Sequence, residues 1–174
     1  MLEIVAIIIL AIIIALIFSA TRPDTFRIER SINIKASPEK IFPFIIDFHH
    51  MKSWSAWEEL DPAMKCSYSG AESGKGAMYA WDGNKDIGQG SMEILESTPS
   101  SKVLIKIDFY KPYAAHNTVE FTLVSKGETT TVSHAMFGPS PFISKLMSLV
   151  FNMDKMVGAK FEEGMAKLKA IAEK

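Results

Sequence analysis

The side chains best suited to acid–base or metal chemistry are the four histidines, His49, His50, His116 and His134. His49 and His50 are adjacent, so their side chains diverge on a helix and do not form the i, i+4 pair of a helical zinc site. We expect both to lie on the surface or at a helix end. His134 differs, because the alternation of residue types puts it between Val132 and Met136 on the covered face of a strand.

Two interpretations of His134 stay open. A buried histidine usually finds a hydrogen-bond partner in the backbone or in water. Alternatively, it is a polar group inside a nonpolar cavity that orients a hydroxyl or carbonyl group of a ligand. Arg30 interrupts the apolar face formed by Ile28 and Ile32 in the same way. We therefore keep both residues as candidates for ligand binding.

Other catalytic patterns have little support in the sequence. Cys66 is the single cysteine and has only Lys65 as a basic neighbour, so a nucleophilic thiolate and an internal disulfide are both disfavoured. The glycines of residues 83–90 resemble a hairpin turn and do not form a phosphate-binding loop. We assign no catalytic residue, no metal site and no cofactor.

The charge balance excludes nucleic acid as a partner. The chain of 174 residues has 19 Lys and Arg against 20 Asp and Glu, so it lacks the basic excess that phosphate backbones require. Its length suits one domain with a hydrophobic core.

The N-terminal segment predicts a membrane anchor. Residues 4–21 carry no charge, and the first 15 of them are consecutively apolar. As a helix this apolar run spans roughly 27 Å, close to the ~30 Å core of a bilayer. A cleaved signal peptide is the alternative, but it would have basic residues where Glu3 stands and small residues where Ile17 and Phe18 stand.

The charges around this segment predict its orientation. Arg22, Arg27, Arg30 and Lys35 follow the span, whereas only the α-amino group precedes it. Because basic residues stay on the cytoplasmic side, we expect a single-pass membrane protein whose domain faces the cytoplasm. We predict an anchor over residues 1–21, a linker over residues 22–25 and the domain over residues 26–174.

The domain begins with a strand and a short helical segment. Residues 26–34 alternate between apolar and polar types, as in a half-buried strand. Ser37 is suited to accept hydrogen bonds from the first amides of a helix, and Pro38 fits its first position. Pro43 should kink this helix or divide it into two.

The rest of the domain predicts an antiparallel meander and a terminal helix. From residue 142 to residue 171, apolar residues recur at helical spacing, with a break expected near Asn152. We expect a curved seven-stranded sheet around this helix, which is an α+β fold. Six alternating runs follow the first strand, over residues 65–69, 76–81, 88–96, 102–110, 117–124 and 129–137.

The order of elements and four segments resemble the START-like or SRPBCC superfamily, and within it the bacterial polyketide cyclase/dehydrase-like proteins. The segments are 36–42 (ASPEKIF), 54–57 (WSAW), 81–92 (WDGNKDIGQGSM) and 154–164 (DKMVGAKFEEG). The resemblance covers roughly residues 26–173 and implies the helix-grip fold of the plant pollen allergens. It also implies a domain that binds lipids, hormones or polyketides, with catalysis in some members.

Bulky aromatic and methionine side chains suit a ligand-filled gap between sheet and helix. The leading hypothesis is a membrane-anchored module that binds a hydrophobic small molecule or lipid in such a cavity. The alternatives are a cyclase or dehydratase that uses His134, Arg30 or a cavity tyrosine, and a protein-interaction module without a ligand. The candidate cavity residues are Arg30, Trp57, Tyr68, Met78, Trp81, Met92, Phe109, Phe121, His134, Met136, Met153 and Val157.

Overall fold

A computed structural model describes residues 2–174, without the side chain of Leu2. The helices are α1 (Leu2–Ala20), α2 (Pro38–Ile41), α3 (Pro43–Ile46), α4 (Phe142–Met147) and α5 (Met153–Ala172), and a 3₁₀ helix covers Phe48–Ser53. The strands are β1 (Thr25–Ile34), β2 (Lys65–Gly70), β3 (Ala77–Asp82), β4 (Gln89–Thr98), β5 (Lys102–Lys111), β6 (Ala115–Lys126) and β7 (Thr129–Pro139). The predicted α+β class and all predicted strands are confirmed.

The strands form one antiparallel sheet in the order β1-β7-β6-β5-β4-β3-β2. The strands β2 to β7 follow one another as a meander, as their short connections predict. The first strand then pairs with the last, with Arg30 opposite His134. This pairing brings the two polar residues that interrupt apolar faces next to each other.

The helix that follows β1 is divided at Pro43, as predicted. α2 ends at Ile41, and α3 begins at Pro43, which has no N–H to continue the first helix. The expected cap differs in detail, because the side chain of Ser37 makes no capping hydrogen bond. Instead, the carbonyl oxygen of Ser37 accepts a hydrogen bond from the amide of Lys40 at 3.1 Å.

The long helix α5 packs against one face of the sheet and contacts β1. The predicted break is confirmed, because Asn152 caps α5 by accepting a hydrogen bond from the amide of Lys155 at 2.9 Å. The buried side chains of Val157, Phe161 and Leu168 point from α5 into the core. The fold is therefore a helix grip, with the core between α5 and the sheet.

Helix α1 stands apart from this core. It is long and apolar enough to cross a membrane, although a signal sequence has the same length and composition. Most of its large apolar side chains are exposed, but Ser19 near its end is fully buried. The last part of α1 therefore contacts the domain, whereas the large apolar side chains from Ile4 to Phe18 are exposed.

Candidate ligand-binding site

The side of the sheet that packs against α5, here called the inner face, is mostly buried where β1 ends and β7 begins. Ile34, Val103 and Val132 are 0% exposed and lie on three different strands. Toward the beginning of β1, Ile28 is 4% exposed, and its partner Met136 on β7 is 8% exposed. We call the part of the inner face that Ile28, Ile34, Val103 and Val132 mark the closed end, and Met136 lies at its border with the rest of the face.

The inner face is less covered where β1 begins and β7 ends. Phe26, Met92 and Phe109 point toward the helix side, but each is only partly buried. Asn117 shares this face because it precedes the buried Val119 by two residues, and it is also partly buried. We call the region of Phe26, Met92, Phe109 and Asn117 the open end. The three apolar side chains are able to contact a nonpolar ligand, and the amide of Asn117 is able to bind a polar group on it.

His134 lies at the closed end between two aromatic rings. Its ring stacks on Phe121 at 4.1 Å and on Phe161 at 3.7 Å between centroids, and the residue is 8% exposed. Its Nδ1 atom is buried and has no hydrogen-bond partner among the described residues. Burial in these apolar surroundings lowers the pKa of His134 to about 3. The ring is therefore neutral at physiological pH.

Arg30 faces α5 and is held there by two carboxylates. Its guanidinium donates to both carboxylate oxygens of Asp154, at 3.1 and 2.9 Å, and to Glu162 at 2.7 Å. It lies so close above Gly158 that a Cβ atom there would approach Nη2 to within 2.2 Å. Arg30 thus joins β1 to the first turns of α5, and its donors are already engaged.

A family model describes the same domain. The model for polyketide cyclase / dehydrase and lipid transport matches residues 25–173. The chain belongs to this family. Its matched region begins at the first residue of β1 and leaves α1 outside the family domain.

Solved structures agree with this polyketide cyclase family assignment at the level of the fold. The protein CV1439 from Chromobacterium violaceum has 14% sequence identity and a TM-score of 0.60, over 88% of this chain and 99% of that one. Ara h 8.0201 has 10% identity and a TM-score of 0.56, over 85% and 97%. DynU16, a putative protein in the dynemicin biosynthetic locus, has 16% identity and a TM-score of 0.60, over 87% and 48%. No curated protein matches the chain.

Most of the predicted cavity residues of this polyketide cyclase family member lie on the inner face or against it. Val157 is buried on α5, and Trp57 packs partly buried against the core. Met153 begins α5 and is 48% exposed, so it lies at the margin of the site. The inner-facing predicted residues on the strands are Arg30, Tyr68, Trp81, Met92, Phe109, Phe121, His134 and Met136.

The prediction for Met78 is wrong. Met78 lies on the outer face of the sheet, opposite Glu93, and is 40% exposed. The physical reason is the two-residue period of a strand. Tyr79 and Trp81 of the same strand are buried on the inner face, so Met78 must point away from it.

Three residues of the site were missed by the sequence analysis: Phe26, Tyr79 and Asn117. Tyr79 is 2% exposed, and its hydroxyl donates to Glu58 at 2.7 Å and lies 3.2 Å from Sγ of Cys66. Burial and these neighbours raise its pKa. The two-residue alternation of β6 would have identified Asn117, because Asn117 occupies an inner-face position in the series that continues with the apolar Val119.

The remaining histidines lie on the surface. His49 and His50 are exposed, as expected, and Nδ1 of His49 lies 2.8 Å from Asp47. His116 pairs with Asp108 at 2.7 Å on the outer face. Within residues 2–174, no group of three or more His, Cys, Asp or Glu side chains is placed to hold a metal ion.

Two grooves of about 250 Å³ each lie on the sheet. One is lined by residues such as Met78, Ser91 and Tyr110, and the other lies where β2 and β3 meet Gly90. Neither groove lies between the inner face and α5, and both are smaller than usual ligand pockets. A ligand at the open end therefore needs side chains there to move.

Proposed function

We propose that this protein is a membrane-anchored module that binds a hydrophobic small molecule or lipid at the open end. The observation that carries the proposal is the unequal covering of the inner face. Phe26, Met92 and Phe109 remain partly exposed, whereas Ile28, Val103 and Val132 of the same face are buried. A nonpolar ligand at the open end would cover these apolar side chains and complete the core there.

The side chains around the open end are able to make room for a ligand. Met92, Met136 and Met153 are unbranched and flexible, so they can shift with little strain. The partly buried Asn117 supplies an amide for a polar group of the ligand. A longer ligand would reach the unpaired Nδ1 of His134. Arg30 has no place in this proposal because its donors are engaged by α5.

The geometry favours binding over a cyclase or dehydratase reaction. A general acid or base works best when its pKa lies near the working pH. His134 has its pKa lowered to about 3, and the pKa of Tyr79 is raised by burial. Neither side chain exchanges a proton readily at neutral pH, so both are better suited to orient a ligand.

Helix α1 supplies the membrane anchor in this proposal. Its length and apolar composition fit a single span, and the basic residues that follow it favour a domain on the cytoplasmic side. Protease digestion of sealed and opened vesicles tests the orientation. Digestion of the domain from the outer face of sealed cells would contradict the cytoplasmic assignment.

Ligand binding is tested by filling the open end. The full chain is purified in mild detergent, and molecules that remain bound are counted by native mass spectrometry before and after incubation with oleic acid. Met92→Trp places a larger side chain at the open end, and we expect about tenfold weaker binding, or about 1.4 kcal/mol. Met78→Trp is the matched control, because this methionine lies on the neighbouring strand and faces outward.

We expect the control to bind as the unmodified chain does, and both variants to keep its far-ultraviolet circular dichroism. Equal occupancy in all three proteins, or no bound molecule in any of them, would contradict the proposed site.

A further inference from the structure

Outside α1, exposed large apolar side chains concentrate in one segment, residues 142–156. Of the 12 described side chains of this kind beyond α1, 8 lie there. They are Phe142, Ile143, Met147, Leu149, Val150, Phe151, Met153 and Met156. The segment includes α4, the turn after it and the first residues of α5. An apolar surface of this density marks a place where something other than water is bound.

The same segment lies against the end of α1. Helices α1 and α4 are in contact, and Ser19 is fully buried. Beyond α1, the guanidinium of Arg22 donates to the hydroxyl of Ser148 at 3.0 Å and lies 5.0 Å from the ring centroid of Phe18. One side chain therefore links the turn after α4 to the last part of the apolar helix.

The link between α1 and α4 is held in place by a second side chain. The ammonium group of Lys145 donates to the carbonyl oxygen of Arg22 at 2.8 Å and to the carboxylate of Asp24 at 2.6 Å. The side chain of Lys145 is only 7% exposed, and its ammonium group holds the pKa of Asp24 below its ordinary value. These bonds hold the linker residues Arg22 and Asp24 against α4 and so limit the movement of the domain relative to α1.

We infer that residues 142–156 lie in the interfacial layer of the same bilayer that α1 spans. This inference rests on the proposed membrane anchor. Lipid is the occupant that the geometry favours, because it already surrounds α1 and continues directly onto the apolar side chains beside its end. Arg22 stands at this junction, where a long cationic side chain keeps its apolar part in lipid and its charge at the headgroups.

Residues 142–156 also adjoin the open end. Gly138 pairs with Phe26 of the open end, and residues 139–141 connect it to the beginning of α4. Met153 and Met156 of the same segment are exposed at the start of α5. A nonpolar ligand would exchange between the open end and the lipid without crossing water.

Fluorescent probes on the full chain test the inference. In a Cys66→Ser background, which keeps a hydrogen-bonding atom near Tyr79, a single cysteine is introduced by Val150→Cys and labelled with a nitrobenzoxadiazole dye. The protein is reconstituted in phosphatidylcholine vesicles that contain lipid with a nitroxide on carbon 5 of the acyl chain. Val124→Cys is the matched control, because Val124 is 53% exposed but lies on β6. It pairs with Thr131 near the start of β7, whereas α4 follows the end of β7.

We expect the nitroxide lipid to quench the probe at position 150 and aqueous iodide to quench the probe at position 124. If iodide quenches both probes equally and the nitroxide quenches neither, the segment lies in water or against a protein, and the inference is wrong. A third variant, Leu10→Cys, reports on α1. Nitroxide quenching at position 10 but not at position 150 would refute only the interfacial position of residues 142–156. Quenching at neither position would refute the membrane anchor as well.

Discussion

The closed end and the open end of the inner face are built from different residue types. At the closed end, β-branched side chains such as Ile34, Val103 and Val132 are fully buried. At the open end, Phe26 and Met92 are among the partly buried residues. Branched side chains have few rotamers and pack in one arrangement, whereas methionine adapts to a changing surface. The contrast indicates that one half of the grip provides stability and the other half provides a surface that can change.

Helix α5 shows the same contrast along its length. Phe161, Leu168 and Ala172 are buried against the sheet, but Met153 and Met156 at its beginning are about half exposed. Burial of apolar surface stabilises the fold in proportion to the area removed from water. The two ends of one helix should therefore respond very differently to truncation of a side chain.

The largest difference is expected between Phe161→Ala and Met153→Ala. Phe161 is 4% exposed and stacks on His134, so its truncation should lower the free energy of unfolding by about 3 to 5 kcal/mol. Met153 is 48% exposed, and its truncation should change that free energy by less than about 0.5 kcal/mol. Denaturant unfolding of the full chain in detergent micelles measures both. Similar losses in the two variants would remove the distinction between the two ends.

His134 should make the closed end sensitive to acid. Its pKa of about 3 in the folded state lies below the ordinary value of 6.5, so the unfolded chain takes up a proton first as the pH falls. The stability that neutral His134 provides is complete above about pH 6.5 and is lost progressively toward pH 3. Between pH 7 and pH 5, the unmodified chain should lose about 2 kcal/mol relative to His134→Phe.

Denaturant unfolding at several pH values measures the difference in the free energy of unfolding between the unmodified chain and His134→Phe. The contributions of acidic groups that titrate in both proteins cancel in this difference. A constant difference between pH 7 and pH 5 would mean that His134 becomes protonated within the fold, and the closed end would then be open to water.

The sequence predicted the elements well and the site only in part, for physical reasons. Alternation identified the strands, because each has one covered face, and proline and asparagine gave the breaks in the helices. The alternation of residue types also placed His134 on the covered face. It did not show that Arg30 would find Asp154 and Glu162, because these carboxylates are more than 120 positions away in the chain. Long-range pairs of this kind depend on how α5 lies on the sheet.

Gly158 tests this long-range contact, which joins β1 to α5 where the covered half of the helix begins. A Cβ atom at this position would meet the guanidinium of Arg30, which its bonds to Asp154 and Glu162 hold in place. Gly158→Ala should therefore destabilise the chain by about 1 to 2 kcal/mol, although alanine favours a helix. In an Arg30→Ala background the obstacle is absent, and the same change should stabilise the chain by about 1 kcal/mol. Opposite signs in this double-mutant cycle, measured by denaturant unfolding, would establish the contact. The same sign and size in both backgrounds would mean that Arg30 moves aside freely and does not fix α5 on the sheet.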